Sequence, residues 1–248
     1  MKLAVVIATY QRPDGRTPEL LTRTLKSLEN QTHTDWKLFL IGDDYKDKDE
    51  FHYLSKLIPQ DKIISINLPV GVERERYRGK DRMDLWNVAG SFAVSFGSEL
   101  AVQMGYDYVC GLDHDDLYRP DHLQTISKGI IDNNYPPCIF TSGTYLSPTS
   151  SLPRITHEDT SGNIYQKRNP APAGMIRSSL CVNHKKIRLR IEDSLYFHNT
   201  KYPADALYAR RIGKYLDEIG ESGIWIKKVT VDHLEEGYTR RWKREDYS

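Results

Sequence analysis

The residues best suited to chemistry form an acid cluster at the end of an apolar segment. Asp113, Asp115 and Asp116 stand within four positions, directly after a predicted buried strand at 108–112. Carboxylates this close repel one another, so a folded chain keeps them together only where a cation compensates them. Hard carboxylate oxygens suit Mg²⁺ or Mn²⁺, which commonly carry phosphorylated substrates. The cluster therefore indicates an enzyme that acts on a nucleotide diphosphate.

Two further polar clusters also follow predicted strands. Thr9, Tyr10 and Arg12 come after the first strand, and Asp43 and Asp44 come after the second. The carboxyl ends of parallel strands meet at one rim of a sheet, where open α/β sheets bind their ligands. We therefore expect all three clusters to converge on one site.

Alternating strands and helices must position these clusters. Apolar runs predict strands at 3–8, 36–41, 62–67, 108–112, 138–142, 174–182 and 224–231. The sequence predicts one helix with Thr17 as its N-cap and Pro18 as its first residue, and periodic patterns predict further helices at 50–57, 85–104, 120–130 and 203–219. Between them lie a charged loop at 73–82 and a Ser-, Thr- and Pro-rich segment at 144–172, which is long enough to suggest a functional lid. The opening β-α-β-α-β order predicts a parallel sheet with right-handed crossovers.

The totals describe an ordinary globular chain. Of its 248 residues, 28% are charged and 39% hydrophobic, with a formal net charge of +1. This balance gives no reason to expect a nucleic acid or membrane-surface partner. The three cysteines, Cys110, Cys138 and Cys181, are typical of reduced buried thiols and indicate neither a disulfide framework nor a zinc site. No apolar run approaches a membrane span or a signal peptide, so we expect a cytoplasmic protein without a transmembrane segment.

Three segments carry a resemblance to a known family. They are 5–12 (Val-Val-Ile-Ala-Thr-Tyr-Gln-Arg), 42–44 (Gly-Asp-Asp) and 112–116 (Leu-Asp-His-Asp-Asp), the last followed by Pro120. On these segments the chain resembles glycosyltransferase family 2, whose members are nucleotide-diphospho-sugar transferases of the glycosyltransferase A fold. The resemblance is good over roughly the first half of the chain. It departs from the family where Ala8, Gln11 and Tyr45-Lys46 replace the common Pro, Asn and Gly-Ser.

The resemblance implies a single Rossmann-like α/β domain over 1–248, with a mostly parallel central sheet flanked by helices. Residues 1–116 would be the nucleotide-sugar-binding half. Residues 117–234 would be the acceptor-binding half, with a flexible loop at 144–172 and a charged tail at 235–248.

The family pattern also implies roles for individual residues. Thr9 and Asp43 would contact the base, most commonly uracil, Asp113 would reach the ribose or the metal, and Asp115 would ligate Mn²⁺ or Mg²⁺ directly. The other residues expected around the donor are Tyr10, Arg12, His114 and an arginine of the charged loop, with Arg78 or Arg82 preferred. The Asp-x-Asp spacing alone is weak, because Asp47-Lys48-Asp49 repeats it in what the sequence suggests is a solvated loop.

The second half supplies a candidate base and a candidate ligand. Asp205, near the start of a predicted helix, resembles the family's acidic motif and would take the proton of the acceptor hydroxyl. Glu192 and Asp193 are the rival pair. His233, which follows the late predicted strand, resembles a histidine that completes the metal or diphosphate site in many relatives.

These features predict a metal-dependent, inverting glycosyltransferase of the hexosyltransferase type. It would move a sugar from a nucleotide-diphosphate sugar, most simply a UDP-sugar, to a hydroxyl of a glycan acceptor. One alternative is a sugar nucleotidyltransferase, although the first turn has a single glycine, Gly15, instead of a glycine-rich phosphate loop. The other is a non-catalytic module that binds sugar nucleotides.

Overall fold

One mixed β-sheet contains all the strands that the computed structural model describes. The structure describes residues 1–80, 82–88, 90–146, 154–155, 176–187 and 204–234. The strands are β1 (Leu3–Thr9), β2 (Trp36–Asp43), β3 (Ile63–Leu68), β4 (Tyr108–Gly111), β5 (Leu117–Tyr118), β6 (Cys138–Leu146), β7 (Arg154–Ile155), β8 (Leu180–Asn183) and β9 (Ile224–Leu234). The helices are α1 (Thr17–Glu29), α2 (Lys48–Ser55), α3 (Val72–Arg76), α4 (Arg82–Val88), α5 (Ser91–Gln103), α6 (His122–Asp132) and α7 (Ala204–Ile219).

The strand order separates the sheet into two parts. Its path is β3-β2-β1-β4-β8-β6-β9-β5, with β7 paired to β6. The pairs β3/β2, β2/β1 and β1/β4 are parallel, as the opening β-α-β-α-β pattern predicts. Beyond β4, the pairs β4/β8, β6/β8, β6/β7 and β5/β9 are antiparallel, and only β6/β9 is parallel. The α/β fold is confirmed, but the sheet is mixed, so the expectation of a mostly parallel sheet holds only for the first part.

The apolar run of β1 reflects burial on both faces of the sheet. Val5 and Ile7 belong to the core that contains Leu21 and Leu25 of α1. The alternate residues of β1 pack in a second core, which includes Ala93 of α5. A strand covered by helices on both sides needs apolar residues at every position, which is why the pattern is continuous.

Several helix boundaries differ from the sequence expectation. Thr17 lies inside α1, because Arg16 is the cap residue. The charged loop at 73–82 contains the helix α3, and the predicted helix at 85–104 is two helices, α4 and α5. Gly90 precedes α5 at φ 77°, a left-handed conformation that favours glycine. Asp47 is exposed, as expected, but it is the cap of α2 and not part of a plain loop, since its side chain accepts hydrogen bonds from the amides of Asp49 and Glu50.

The second half differs in where its strands end. Thr144 and the two residues after it extend β6, so the predicted lid begins later than position 144. Two register shifts in the β6/β9 ladder precede the pair formed by Tyr145 and His233. His233 therefore lies within β9 and does not follow it. Within the predicted strand at 174–182, the residues that the structure describes form a 3₁₀ turn (Arg177–Ser179) followed by β8.

Some expectations concern residues outside the described ranges. These are most of the lid at 144–172, the rival base pair Glu192 and Asp193, and the tail at 235–248. Within the described part of the chain, no helix combines the length and the hydrophobicity that crossing a bilayer requires.

Candidate active site

The end of β2 carries an ion pair between Asp43 and Arg74 of α3. The Arg74 Nη2 atom lies 2.8 Å from Asp43 Oδ2 and also donates to the Asp43 backbone carbonyl. Burial raises the pKa of the Asp43 carboxyl, although Arg74 opposes this shift. A Cβ atom on Gly71 would lie 3.0 Å from Arg74 Nε and 3.3 Å from Asp43 Oδ1, so glycine leaves room for the pair. The sequence pattern favours Arg78 or Arg82 of this segment, whereas the structure brings Arg74 to Asp43.

Two residues that depart from the family pattern, Tyr45 and Gln11, join neighbouring segments of this region through hydrogen bonds. Tyr45 is 1% exposed, and its hydroxyl lies 2.7 Å from Thr9 Oγ1. The Gln11 side-chain oxygen accepts hydrogen bonds from the backbone amides of Lys46 and Asp47. Tyr45 and Gln11 thus connect the end of β1 to the segment after β2. Thr9 itself is 1% exposed, with its hydroxyl bonded to tyrosine, and its predicted contact with the base remains a prediction.

The acid cluster after β4 is compensated by two arginines. Arg177 Nε donates to Asp113 Oδ1 at 2.8 Å, and Arg177 Nη2 lies 2.6 Å from the same oxygen. Burial alone would raise the pKa of Asp113, but the Arg177 guanidinium outweighs it and lowers the pKa. The other arginine, Arg12, is 5% exposed, and its Nη1 atom lies 3.8 Å from Asp115 Oδ2. Asp115 is thus held more loosely than Asp113.

The last acid of the cluster is fully buried and binds a histidine. Asp116 is 0% exposed, and its Oδ1 atom lies 2.7 Å from His233 Nδ1 of β9. Burial would lower the pKa of His233, but the Asp116 carboxylate outweighs it and raises the pKa to about 9. The Tyr145 ring packs edge-on against the His233 ring, with centroids 5.0 Å apart. With Nδ1 bonded to a carboxylate, Nε2 is the His233 ring nitrogen left to meet a ligand, and metal-binding histidines typically have such a partner on their other nitrogen.

A continuous line of contacts joins the two ends of this rim. The guanidinium carbon of Arg74 lies 5.0 Å from the centre of the Tyr10 ring. That ring in turn lies 5.3 Å from the ring of His114, which is buried within the acid cluster. Burial lowers the pKa of His114, which favours its neutral form. The strand-end clusters thus converge, as the parallel topology predicts.

Asp205 approaches the acid cluster from α7. Its Oδ1 atom accepts a hydrogen bond of 2.7 Å from the backbone amide of Ala206, in the first turn of the helix. Burial raises the pKa of Asp205, and its carboxyl is close enough to Asp113, Arg177 and His233 for their charges to act on it. A carboxyl group with a raised pKa is a stronger base than an ordinary aspartate, which is the property that general-base catalysis near neutral pH requires.

The site offers a partial ligand set for a divalent ion. Within the described ranges, no three His, Cys, Asp or Glu side chains are arranged to hold a metal ion. Asp115 and His233 are 18% and 19% exposed at the side chain, and they supply one carboxylate and one imidazole. Mg²⁺ and Mn²⁺ in phosphate-transfer sites are commonly held by one or two carboxylates together with substrate phosphates. The residues therefore fit an ion that arrives with a diphosphate.

Four further residues are two arginines that the sequence favoured, Arg78 and Arg82, and two residues that it did not indicate, Arg177 and Ser178. Arg78 is 73% exposed at the side chain and pairs with Glu75, on the outer side of α3. The side chain of Arg82 lies outside the described part of the chain. Sequence reasoning missed Arg177 and Ser178, which follow an apolar residue in an unremarkable stretch and belong to no motif. Only the antiparallel return of β8 beside β4 brings them to the acids.

The fold and this site define a class of protein: a transferase-like α/β domain with an acid cluster at the carboxyl rim of its sheet. No protein-family model matches the chain. A glycosyltransferase of Acanthamoeba polyphaga mimivirus is 36% identical over 244 residues, which is 96% of this chain and 95% of that protein. The chain therefore belongs to the glycosyltransferases, and the predicted resemblance to glycosyltransferase family 2 is confirmed.

Solved structures share the fold at low sequence identity. A fragment of S. aureus TarS, residues 1-349, in complex with UDP-GlcNAc matches with a TM-score of 0.61 and 14% identity, over 98% of this chain and 60% of that fragment. The mannosyltransferase PcManGT of Pyrobaculum calidifontis, in complex with GDP-Man and Mn²⁺, matches with a TM-score of 0.57 and 13% identity, over 96% of this chain and 57% of that one. The chain thus spans about three fifths of each structure. The glycosyltransferase A fold predicted from the sequence is confirmed.

Proposed function

We propose that this protein transfers a sugar from a nucleoside-diphosphate sugar to a hydroxyl group of a glycan acceptor, with inversion at the anomeric carbon. A UDP-sugar is the first candidate donor. The observation that carries the proposal is the line of contacts from Asp43 through Arg74, Tyr10 and His114 to the acid cluster. It joins the polar residues at the end of β2 to the acid cluster after β4 along one rim. The ligands named for TarS and PcManGT support the same class of donor.

The donor would lie along this rim with its base beside Asp43 and its diphosphate beside Asp115. Arg74, which is 25% exposed at the side chain, has N–H groups suited to a base carbonyl. Burial raises the pKa of Asp43 and Arg74 opposes the rise. The Asp43 carboxyl oxygens suit a base N–H. Residues 1–116 would thus bind the donor, and residues 117–234 would contribute to the acceptor side.

Asp115 and His233 would hold Mn²⁺ or Mg²⁺ together with the diphosphate. The bound ion would act as a Lewis acid that stabilises the departing diphosphate. At neutral pH in the metal-free protein, the raised pKa keeps His233 protonated, so ion binding through Nε2 would release a proton. Arg12 would remain beside Asp115 and limit the repulsion within the cluster.

The transfer itself would be a single displacement. The oxygen of the acceptor hydroxyl attacks the anomeric carbon while the bond from that carbon to the diphosphate breaks. Asp205 accepts the hydroxyl proton, and the nucleoside diphosphate departs with the bonding electrons. The raised pKa of Asp205 brings its basicity closer to neutral pH, where general-base catalysis is most effective. We also propose that the protein acts in the cytoplasm.

A thermal-shift panel tests the donor class. UDP, GDP, UDP-GlcNAc and GDP-mannose are each added with Mn²⁺ and, separately, with chelator. A ligand at about 100 times its Kd stabilises the folded state by about 2.7 kcal/mol, which is a readily measured rise in Tm. We expect a metal-dependent shift with the uridine ligands that exceeds the shift with the guanosine ligands. The absence of a shift with every nucleotide would overturn the proposal, and pyrophosphate release from a nucleoside triphosphate would favour the nucleotidyltransferase instead.

A further inference from the structure

Ser178 lies at the centre of the acid cluster although it comes from a separate part of the chain. It is 0% exposed, in the short 3₁₀ turn Arg177–Ser179 that precedes β8. Its Oγ atom accepts a hydrogen bond of 2.9 Å from the backbone amide of Asp113. The same hydroxyl donates to Asp116 Oδ2 at 2.5 Å. One hydroxyl group therefore connects the first and the last acids of the cluster.

The Asp116 carboxylate uses its other oxygen to bind His233. Oδ1 lies 2.7 Å from His233 Nδ1, so both carboxylate oxygens have a partner on different elements. An ionised carboxylate has no proton to give, so Nδ1 carries the hydrogen in this contact. The result is a chain of hydrogen bonds from the Asp113 amide through Ser178 and Asp116 to the imidazole. It connects the loop after β4, the turn before β8 and the strand β9.

This chain determines which way the imidazole faces. Asp116 is buried with both oxygens occupied, so it has little freedom to rotate. The bond to Nδ1 and the edge-on contact with Tyr145 then fix the plane of the His233 ring. Partners of this kind, one bond removed from a metal, orient the ligand that touches it.

We propose that Ser178 is a positioning residue, which orients His233 through Asp116 so that Nε2 faces the metal and diphosphate. The proposal rests on the proposed function, because it assigns a direction to a ligand of that site. The neighbouring Arg177 supports the same arrangement by holding the Asp113 side chain while Ser178 holds its backbone. The turn before β8 thus prepares the site before a donor arrives.

The turn contains its own matched control. Ser179 is as buried as Ser178, at 0% exposure, and its hydroxyl donates to the backbone carbonyl of Ile176 at 2.7 Å. That bond lies within the turn and involves none of the acids. Ser178→Ala and Ser179→Ala therefore remove equally buried hydroxyl groups from adjacent positions, and only the first breaks the chain to His233.

The decisive measurement is the affinity for Mn²⁺ in the presence of saturating UDP. Free Mn²⁺ is quantified by electron paramagnetic resonance, so the result does not depend on turnover. Loss of such an outer partner typically costs about 10- to 100-fold in metal affinity. We expect the Mn²⁺ Kd to rise at least about tenfold in Ser178→Ala and to stay within about twofold in Ser179→Ala. The Kd for UDP in chelator should change little in either variant.

A double-mutant cycle separates positioning from general destabilisation. If Ser178 acts through His233, then Ser178→Ala should cost nothing further in a His233→Ala protein. Should Ser178→Ala fail to fold, Ser178→Cys retains the size of the side chain with a weaker donor, and we expect an intermediate loss. An unchanged Mn²⁺ Kd in whichever of these variants folds would overturn the positioning role. So would an equal loss in Ser179→Ala, or a loss that persists in full without His233.

Mn²⁺ binding by the wild-type protein separates a failure of the proposed metal and diphosphate site from a failure of the positioning role. Failure of the wild type to bind Mn²⁺ with UDP would overturn the proposed metal and diphosphate site, and the positioning role with it. Normal binding by the wild type together with an unaffected Ser178→Ala protein would overturn the positioning role alone.

Discussion

Asp43 and Asp113 each stand at the carboxyl end of a parallel strand, and each pairs with an arginine from later in the chain. The two pairs differ in which partner, the acid or the arginine, is the more exposed. At the Asp43 end, the acid is 5% exposed at its side chain and Arg74 is 25% exposed. At the Asp113 end, the arginine, Arg177, is 10% exposed and the acid is 38% exposed. One end of the rim therefore presents a guanidinium, and the other presents a carboxylate.

This reversal suits the two ends of a nucleotide sugar. N–H groups at the Arg74 end complement the carbonyl oxygens of a base, whereas carboxylates at the Asp113 end complement a metal ion or ribose hydroxyls. The pKa values follow the same division, since burial raises the pKa of Asp43 and Arg177 lowers that of Asp113. The position of each arginine thus determines which group of the pair a ligand meets.

Glycine makes room for the arginine in both pairs. A Cβ atom on Gly111, the last residue of β4, would lie 2.9 Å from Arg177 Nη1 and 3.0 Å from the Arg177 backbone oxygen. Gly71 has the same relation to Arg74, at 3.0 Å from its Nε atom. Contacts under about 3 Å to backbone atoms are not relieved by moving a side chain, so the Arg177 pair is the more restrictive of the two.

The comparison predicts that changes at the acid end lower the rate, and the largest loss should come from Asp115→Ala. Removing the partly exposed carboxylate should lower metal-dependent release of UDP from donor by about 10³-fold, since metal assistance contributes several kcal/mol. The assay is UDP release with Mn²⁺. The control is Asp49→Ala, in the second Asp-x-Asp copy, which should keep the wild-type rate. Equal rates for wild type and Asp115→Ala would remove the metal role from this residue.

Asp205→Asn should have the next largest effect. The amide has nearly the same shape but cannot take a proton, so transfer to acceptor should fall by about 10²-fold or more. Donor affinity should stay within about threefold, because Asp205 does not contact the nucleotide in our proposal. Initial rates at varied donor concentration separate the two effects. Glu218→Gln, on the exposed last turn of the same helix, is the control, and full activity of Asp205→Asn would assign the base elsewhere.

At the Asp43 end, substitutions should weaken donor binding and leave the chemical step intact. Arg74→Gln removes the exposed cation and should raise the Kd for UDP by about tenfold, as expected for a hydrogen bond to a charged group. Isothermal titration calorimetry measures the change. Arg78→Gln is the competing substitution, since the sequence pattern favours that arginine. A larger loss in Arg78→Gln than in Arg74→Gln would show that the ion pair with Asp43 does not mark the base site.

The last prediction concerns stability in acid and not activity, and it belongs to the second half of the chain. Burial lowers the pKa of His122 to about 3, although Asp121 opposes the shift. Because the unfolded chain binds a proton near pH 6.5 and the folded chain does not, stability from this residue is complete above that pH and declines as pH falls toward 3. The slope is at most about 1.4 kcal/mol per pH unit.

Replacing this histidine tests the slope directly. His122→Asn can retain the contact that His122 Nδ1 makes with Thr230 Oγ1 at 2.7 Å, and it removes the titrating group. Urea unfolding between pH 4 and 7 should show a reduced slope for the variant. His52→Asn, at an exposed position of α2, is the control and should follow the wild type. An unaltered slope in His122→Asn would contradict the prediction.

The amino-acid sequence determined the first part of the molecule well. The apolar run of β1 and the Gly-Asp-Asp after β2 indicated the strand ends, and parallel topology then required their convergence. These signals are local, because strand burial and turn chemistry leave patterns in a few neighbouring residues. The acid cluster itself, Asp205 and His233 were likewise visible as residue types in order along the chain.

Tertiary structure alone decided which partner each acid has. Arg177 and Ser178 lie more than 60 residues from the acids that they bind, and they reach them because β8 returns antiparallel to β4. Arg74 rather than Arg78 meets Asp43 because α3 turns that side chain inward, and a run of alternating charges does not reveal the direction of a short helix. Pairing across a sheet depends on register and on register shifts such as those between β6 and β9, and neither leaves a local signature. The glycosyltransferase class could therefore be predicted from the sequence, whereas the contacts between the site residues required the folded chain.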